Sequence, residues 1–369
     1  MATGLQDAWR ENRGKLSRAR AGLAFGAIDL GTNNCRLLIA RPRGRGVQVI
    51  DAFSRIVRLG EGLQETGRLS EAAMDRTLEA LAVCANRLRR RGVAGVRAVA
   101  TEACRRAANC DDFVRRVQAE TGIRLEVISN REEVGLAADG CVPLLNAAVP
   151  NALIFDIGGG STEISWLRVA PGEGSDDSGS RRYDRGPKRV PRADVADWCS
   201  LPFGVVNFAE RFDCRDVRPE TYEAMVAEVA QQAGGFEAKA SLGPLVERQA
   251  LQLLGTSGTV TTLTGVYLRL PRYDRARVDG YHMEMETVRR ISQTILDMSF
   301  EDRKRHACIG PDRADLVIAG CAILEGLCRI WPAQRLRVAD RGLREGILRL
   351  LMTEAGVWHR PAALPGAAS

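Results

Sequence analysis

Apolar residues along this chain fall into two kinds of run. Short runs rich in leucine and β-branched residues end in turn formers, as at Phe25–Asp29, Leu37–Ala40 and Val47–Ala52, and read as three successive strands. Longer stretches repeat at helical spacing. Met74, Leu78, Leu81 and Leu88 do so in a segment that Ser70 would cap, Glu71 would open and Arg91 would close. Val96–Ala100 then reads as a buried strand. After it come a short helix carrying Arg105, a helix capped by Asp111, the strand Leu125–Ile128 and a helix over Arg131–Asp139. Strands followed by helices predict an α/β unit, with helices covering a mixed sheet.

The pattern restarts near Asn151. In ALIFDIGGGSTEISWL, Ala152 to Leu167, an apolar run ends in Asp156, three glycines follow, and an alternating stretch opens at Ser161. Strand, Gly-rich turn, strand is the reading, with the second strand reaching Val169. Residues 171–197 are expected to form a mobile insert, because Gly, Ser and Asp give way there to Arg and Lys with Pro187 and Pro191. Such a composition buries no core. Its basic half (Arg181, Arg182, Arg185, Lys188, Arg189, Arg192) reads first as a solvated loop and second as an aid in holding a polyanion.

Beyond the insert the pattern predicts a strand at Trp198–Pro202 and helices at Val205–Phe212 and Pro219–Ala240. A strand at Leu251–Leu254, a helix at Asp312–Ile330, a last strand at Leu336–Ala339 and a closing helix at Leu343–Leu351 complete it. A chain of 369 residues is comfortable as two domains. We divide it into a flexible basic tail (1–22), a first domain (23–146), a second domain (147–355) whose last helix is free to pack back on the first, and a C-terminal tail (356–369).

The chemistry lies in the turns. Gly158, Gly159 and Gly160 would offer three backbone N–H groups to an anion, in a turn that favours glycine. Asp156 beside such a nest repels phosphate unless a cation bridges them, so the motif asks for phosphate together with a divalent metal. An equivalent hairpin occurs earlier, where Asp29 is followed by Gly31, Thr32, Asn33 and Asn34 and then by the strand Leu37–Ala40. One such turn is weak as a signal; two in equivalent hairpins are hard to explain as structure alone. Gly255, Thr256, Ser257 and Gly258, between a strand and a helix, make a second candidate cradle for an anion or nucleotide, or else a tight strand–helix turn.

Composition narrows the options. The net charge of +7 and the arginine-dominated basic set, with lysine only at 15, 188, 239 and 304, suit a polyanionic partner, although genome composition explains arginine richness as well. No zinc-finger or RNA-recognition signature accompanies the charge, so no dedicated nucleic-acid binding is expected. No apolar run is long enough to cross a bilayer, and the Arg-rich stretch before Ala21 lacks the apolar centre of a secretory signal. Ten cysteines without a CxxC pair read as reduced thiols of a cytoplasmic protein. Three scattered histidines support neither a His–metal cluster nor a Ser/His/Asp triad, and GxxxxGK[ST] is absent.

IDLGTNNCRLLIA and FDIGGGSTEI resemble the two phosphate loops of the superfamily of acetate kinase, sugar kinases, heat-shock ATPases and actin. Within it the chain resembles the exopolyphosphatase/guanosine pentaphosphatase (Ppx/GppA) phosphatases. Ala100–Ala107, Ile128–Glu133 and Gly255–Thr259 fit that family in order, and the match runs from about Phe25 to Leu351. The resemblance implies two actin-like (ribonuclease H-like) α/β domains, each a mixed sheet with flanking helices, and a cleft between them. It implies hydrolysis of the terminal phosphoanhydride of polyphosphate, of pppGpp, or of both. Glu132 and Glu133 read from sequence alone as acids favouring a helix N-terminus; the resemblance makes Glu133 the residue that activates water, although Val134 stands where the family usually has Ala. It assigns Arg105 to the charge of the cleaved phosphate, and Asp29, Asp156 and Glu163 to Mg²⁺, with Mn²⁺ as a substitute. It also admits a homodimer. Longer members carry a further helical, HD-like domain, and this chain resembles the shorter two-domain form. The rival readings are a kinase of the same superfamily and a regulator that binds ppGpp or pppGpp without turnover.

Overall fold

The structure is a computed structural model that describes residues 22–43, 46–172 and 190–358. Its first sheet contains β1 (Phe25–Leu30), β2 (Asn34–Arg43), β3 (Gly46–Ile56), β4 (Gly95–Ala100) and β5 (Leu125–Val127), in the order β3-β2-β1-β4-β5. Three antiparallel strands form a meander, and β4 and β5 add in parallel beside β1. Central strand β1 is buried on both faces up to Ile28, which is why it reads as an apolar run until Asp29.

The second sheet repeats that path. β6 (Asn151–Ile157), β7 (Thr162–Ala170) and β8 (Arg192–Leu201) form the meander; β9 (Leu251–Thr256) and β11 (Arg335–Ala339) add in parallel, and β10 (His282–Glu284) edges the sheet. The resulting order, β10-β11-β9-β6-β7-β8, holds the same five-strand core as the first sheet. Even the registers correspond, for Asp29 lies opposite Arg36 and Asp156 opposite Glu163. This is the duplicated actin-like arrangement expected from the sequence.

Helices α1 (Glu71–Arg91), α2 (Glu102–Arg106), α3 (Cys110–Thr121) and α4 (Asn130–Cys141) accompany the first sheet. Ser70 caps α1 as predicted, its hydroxyl accepting the Ala73 N–H at 3.3 Å. Asp111 does not cap α3; it sits in the first turn behind Asn109, whose side chain is instead bonded to Leu69. The second sheet carries α5 (Val205–Phe212), α6 (Pro219–Ala240), α7 (Ser257–Tyr267), α8 (Met285–Leu296), α9 (Val317–Ile330) and α10 (Leu343–Glu354). The helix expected from Asp312 begins at Val317, with turns before it. The insert is shorter than expected, because β8 already starts at Arg192. Its centre, with Arg181, Arg182, Arg185, Lys188 and Arg189, falls outside the described residues.

The closing helix α10 leaves the second sheet and covers the first. Leu343, Ile347, Leu348, Leu351 and Met352 share one buried cluster with Phe25, Ala27, Leu38, Val99 and Ile128. It crosses α4 at glycines: a Cβ on Gly346 would lie 1.9 Å from the Leu136 carbonyl oxygen, and one on Gly140 would lie 2.0 Å from that of Gly342. Backbone cannot yield there. Gly346→Ala is therefore expected to cost about 1–3 kcal/mol in denaturant unfolding despite the helix preference of alanine. Gly234→Ala in α6, where nothing lies within 4 Å of the new Cβ, is expected to stabilise by up to about 1 kcal/mol. Equal effects of the two would contradict the close crossing.

Candidate active site

The two Asp-bearing hairpins meet face to face. A Cβ on Gly159 would lie 3.0 Å from Thr32 Cβ and 3.1 Å from Asn33 N, and one on Gly160 would lie 2.7 Å from Thr32 Oγ1. These glycines are needed because the loops touch. Neither they nor Gly31 and Gly158 have a left-handed backbone, so conformational freedom is not the reason. Each turn closes identically, with Gly31 N–H donating to Asn34 O (2.9 Å) and Gly158 N–H to Ser161 O (3.0 Å). The expectation of three ligand-facing glycine N–H groups is thereby corrected, since that of Gly158 closes the turn.

Both loops have their carbonyls fastened from behind. Thr32 O accepts from Gly60 N–H, and Asn33 O from Val57 and Arg58 N–H. Gly158 O and Gly159 O accept from Val205 and Val206 N–H at the start of α5, and Asn207 Nδ2 donates to Gly160 O at 3.0 Å. Among the described residues, the N–H groups of Thr32, Asn33, Gly159 and Gly160 have no backbone partner. They are preset donors lining a cavity of about 130 Å³.

Six carboxylates line the same cavity: Asp29, Glu102, Glu133, Asp156, Glu163 and Asp340. Burial lifts Asp29 and Asp156 above the ordinary aspartate range. Asp29 adds to the rise at Asp156, against the Ser257 hydroxyl, which donates to Asp156 Oδ1 at 2.5 Å. Glu133 is pushed well up by burial and by Glu163, against the pull of Arg105, whose guanidinium donates to Glu133 Oε2 at 2.7 Å. Burial and Asp156 raise Glu163 to about 7. Arg36, Arg313 and Arg344 line the same cavity, none with a carboxylate oxygen within 4 Å among the described residues.

The Ppx/GppA phosphatase family profile matches residues 38–354. Exopolyphosphatase 2 of Mycobacterium tuberculosis is 30% identical over 335 residues, covering 87% of this chain and 96% of its own. The chain belongs to the Ppx/GppA phosphatase family. A solved Ppx/GppA protein of Aquifex aeolicus superposes with a TM-score of 0.68 at 27% identity, over 90% of this chain and 98% of that one. An exopolyphosphatase of Cytophaga hutchinsonii gives a TM-score of 0.71 at 24% identity, over 90% and 98%, a likeness that speaks to the fold alone.

For this Ppx/GppA chain most of the predicted residues converge on the cavity. Gly31 to Asn34, Gly158 to Ser161, Thr256, Ser257, Gly258, Asp29, Asp156, Glu163 and Glu133 all line it. Gly255 does not; it lies within β9, where a Cβ would come within 2.7 Å of Val260. Arg105 also stands behind the wall, its guanidinium held by Glu102, Glu133 and the Ile128 carbonyl. In this arrangement it fixes the Glu133 carboxylate and is not among the residues that line the cavity. Ser257 adopts a left-handed φ of 76° where β9 turns into α7, a strained junction for a non-glycine residue that delivers its hydroxyl to Asp156.

The three arginines escaped sequence reasoning, although one signal was available. Superposing the duplicated hairpins puts Arg36 in the place of Glu163, so one repeat contributes a cation where the other contributes an acid.

A divalent cation suits this donor set. Asp29 and Asp156 are half-buried carboxylates without a cationic partner within 4 Å among the described residues, and Asn33 Oδ1, in the same cavity lining, is buried without a hydrogen bond. All are hard oxygen donors. No group of three or more His, Cys, Asp or Glu able to hold a metal occurs among the described residues. The set therefore fits a cation completed by substrate oxygens and water, the habit of Mg²⁺, rather than an all-protein cage.

These raised carboxyls have a measurable consequence. Between their unfolded and folded values the native state binds more protons than the unfolded chain, so stability falls as pH rises. For Glu163 that window runs from 4.5 to about 7. Without divalent cation, the melting temperature is expected to drop between about pH 5 and about pH 8, by an amount worth a few kcal/mol, and added Mg²⁺ should reduce the drop. A flat or rising melting curve over that range would contradict the buried acidic cluster.

Proposed function

We propose that this protein hydrolyses the terminal phosphoanhydride of inorganic polyphosphate, of pppGpp, or of both. The observation that carries the reading is Glu133, a half-buried carboxylate held by Arg105 in the one cavity across which the two Asp-bearing hairpins touch. Phosphoryl transfer needs charge neutralisation, in-line geometry and a positioned nucleophile, with little covalent chemistry from the protein. The free N–H groups of Thr32, Asn33, Gly159 and Gly160 take the terminal phosphate. Glu133 accepts the proton of a water whose oxygen bonds to the terminal phosphorus, while the bridging oxygen leaves with the shortened chain. Arg105 keeps Glu133 oriented, and burial keeps its basicity high.

Arg36, Arg313 and Arg344, without an ion pair within 4 Å among the described residues, offer positive charge to the phosphates behind the scissile one. Asp29, Asp156 and Glu163 would hold Mg²⁺, directly or through water. When bound, Mg²⁺ neutralises phosphate charge and offsets the repulsion between substrate and the acidic wall.

Phosphate release by the purified protein, with kcat/KM measured in parallel on long-chain polyphosphate and on pppGpp, tests the reading. Release from either substrate is expected, with an apparent KM that rises steeply with salt as screening weakens the arginine contacts. Phosphate transfer to an acceptor in place of release, or binding of pppGpp without turnover, would overturn it.

A further inference from the structure

Glu163 sits on β7 directly opposite Ser200 of β8. The Ser200 hydroxyl donates to Glu163 Oε1 at 2.9 Å, and its oxygen in turn accepts from Asn130 Nδ2 at 3.0 Å. A serine hydroxyl has a single proton. With an amide N–H directed at its oxygen, that proton is left for the carboxylate, so the hydrogen bonds run one way from Asn130 to Glu163.

Asn130 is the first residue of α4, and Glu133 follows three positions later, on the same helix face. Ser129 caps this helix, accepting the Glu132 N–H at 3.2 Å, so Asn130 is free to reach across to the second sheet. Neither Asn130 nor Ser200 lines the cavity. Any influence on chemistry must pass through Glu163 and through the seating of α4.

The geometry points to Asn130 and Ser200 as a positioning relay for the phosphatase reaction. The relay fixes the Glu163 carboxylate on β7 and, through the same two bonds, sets the helix that carries Glu133 at a defined place over the second sheet. This inference rests on the proposed function, in which Glu133 and Glu163 work on one substrate.

Ser200→Ala is expected to lower kcat for phosphate release ~10-fold or more with KM little changed, as loss of an orienting partner does. Ser200→Thr, which keeps the hydroxyl on a strand that favours β-branching, should restore most of it. Asn130→Ala should cost a smaller factor, and the double variant no more than Ser200→Ala alone, because the two bonds act in series.

Titration of the metal-free protein with Mn²⁺ by calorimetry gives a readout independent of turnover. Ser200→Ala should weaken binding ~10-fold or more, and Ser200→Thr should not. Near-wild-type kcat for Ser200→Ala, a threonine variant as impaired as alanine, or fully additive losses would each overturn the relay. If the wild type released no phosphate, the proposed function would fall. The Mn²⁺ series would then decide the relay alone, and unchanged affinity in Ser200→Ala would overturn it. Should Ser200→Ala fail to fold, Asn130→Ala against Ser200→Thr carries the same comparison.

Discussion

Glu133→Gln is expected to lower kcat for phosphate release by ~10²–10⁴-fold while leaving substrate binding unchanged or slightly tighter. Glutamine keeps the size of the side chain and can still accept a hydrogen bond from Arg105, but it cannot take a proton from water. Binding should hold because one negative charge has left a site meant for phosphate, and Arg105 loses the anion that now occupies it. Glu132→Gln is the control. Its carboxylate points away from the cavity and pairs with Arg97, so its loss should leave turnover near wild type. Two variants that both stay near wild type would reduce the acid pair to a helix-terminus feature. A dead Glu132→Gln beside an active Glu133→Gln would place the base one residue earlier.

Asp156→Asn is expected to cost at least ~10²-fold in activity and to make the protein more stable in the absence of metal. The two effects have one source. Asp156 is half-buried and repelled by Asp29, with no cation inside 4 Å among the described residues, so a neutral side chain relieves repulsion in the metal-free protein while removing a charge the cation needs. In the wild type, Mg²⁺ should raise the melting temperature according to its occupancy, EDTA should abolish phosphate release, and Mg²⁺ or Mn²⁺ should restore it. In Asp156→Asn the thermal response to Mg²⁺ should shrink. Asp29→Asn should show a milder defect, because Asp156 alone is oriented by a hydroxyl, from Ser257 at 2.5 Å. Full activity in chelator would remove the metal from the account.

The sequence made the duplication legible because each repeat contains an Asp, a glycine two residues later and an apolar strand on either side. It also exposed the closing helix, and the resemblance singled out Glu133, which lines the cavity. Its reading of the glycines was right in place and wrong in cause. Gly159 and Gly160 are set by contact with Thr32 and Asn33 across the cavity, a constraint that involves residues more than a hundred positions apart. The support from α5 was hidden for the same reason, since Val205 and Val206 bind the Gly158 and Gly159 carbonyls from a separate helix.

The resemblance assigned Arg105 to the charge of the cleaved phosphate; its three partners in the fold, Glu102, Glu133 and the Ile128 carbonyl, could not be read from spacing. Asp111 was assigned the cap of α3 on propensity, and Asn109, two residues earlier, begins that helix instead. Met285, Val288, Ser292 and Ile295, the buried stripe of α8, follow helical spacing in a stretch to which the sequence reading gave no element.

The central claim is that water, activated by Glu133, attacks the terminal phosphorus. Hydrolysis of polyphosphate in ¹⁸O-labelled water, followed by mass analysis of the released phosphate, tests it most directly. Wild-type protein with Mg²⁺ should release phosphate carrying one solvent oxygen, and Glu133→Gln should release almost none in the same interval. Phosphate without solvent oxygen, or labelled phosphate formed equally fast by Glu133→Gln, would contradict the account.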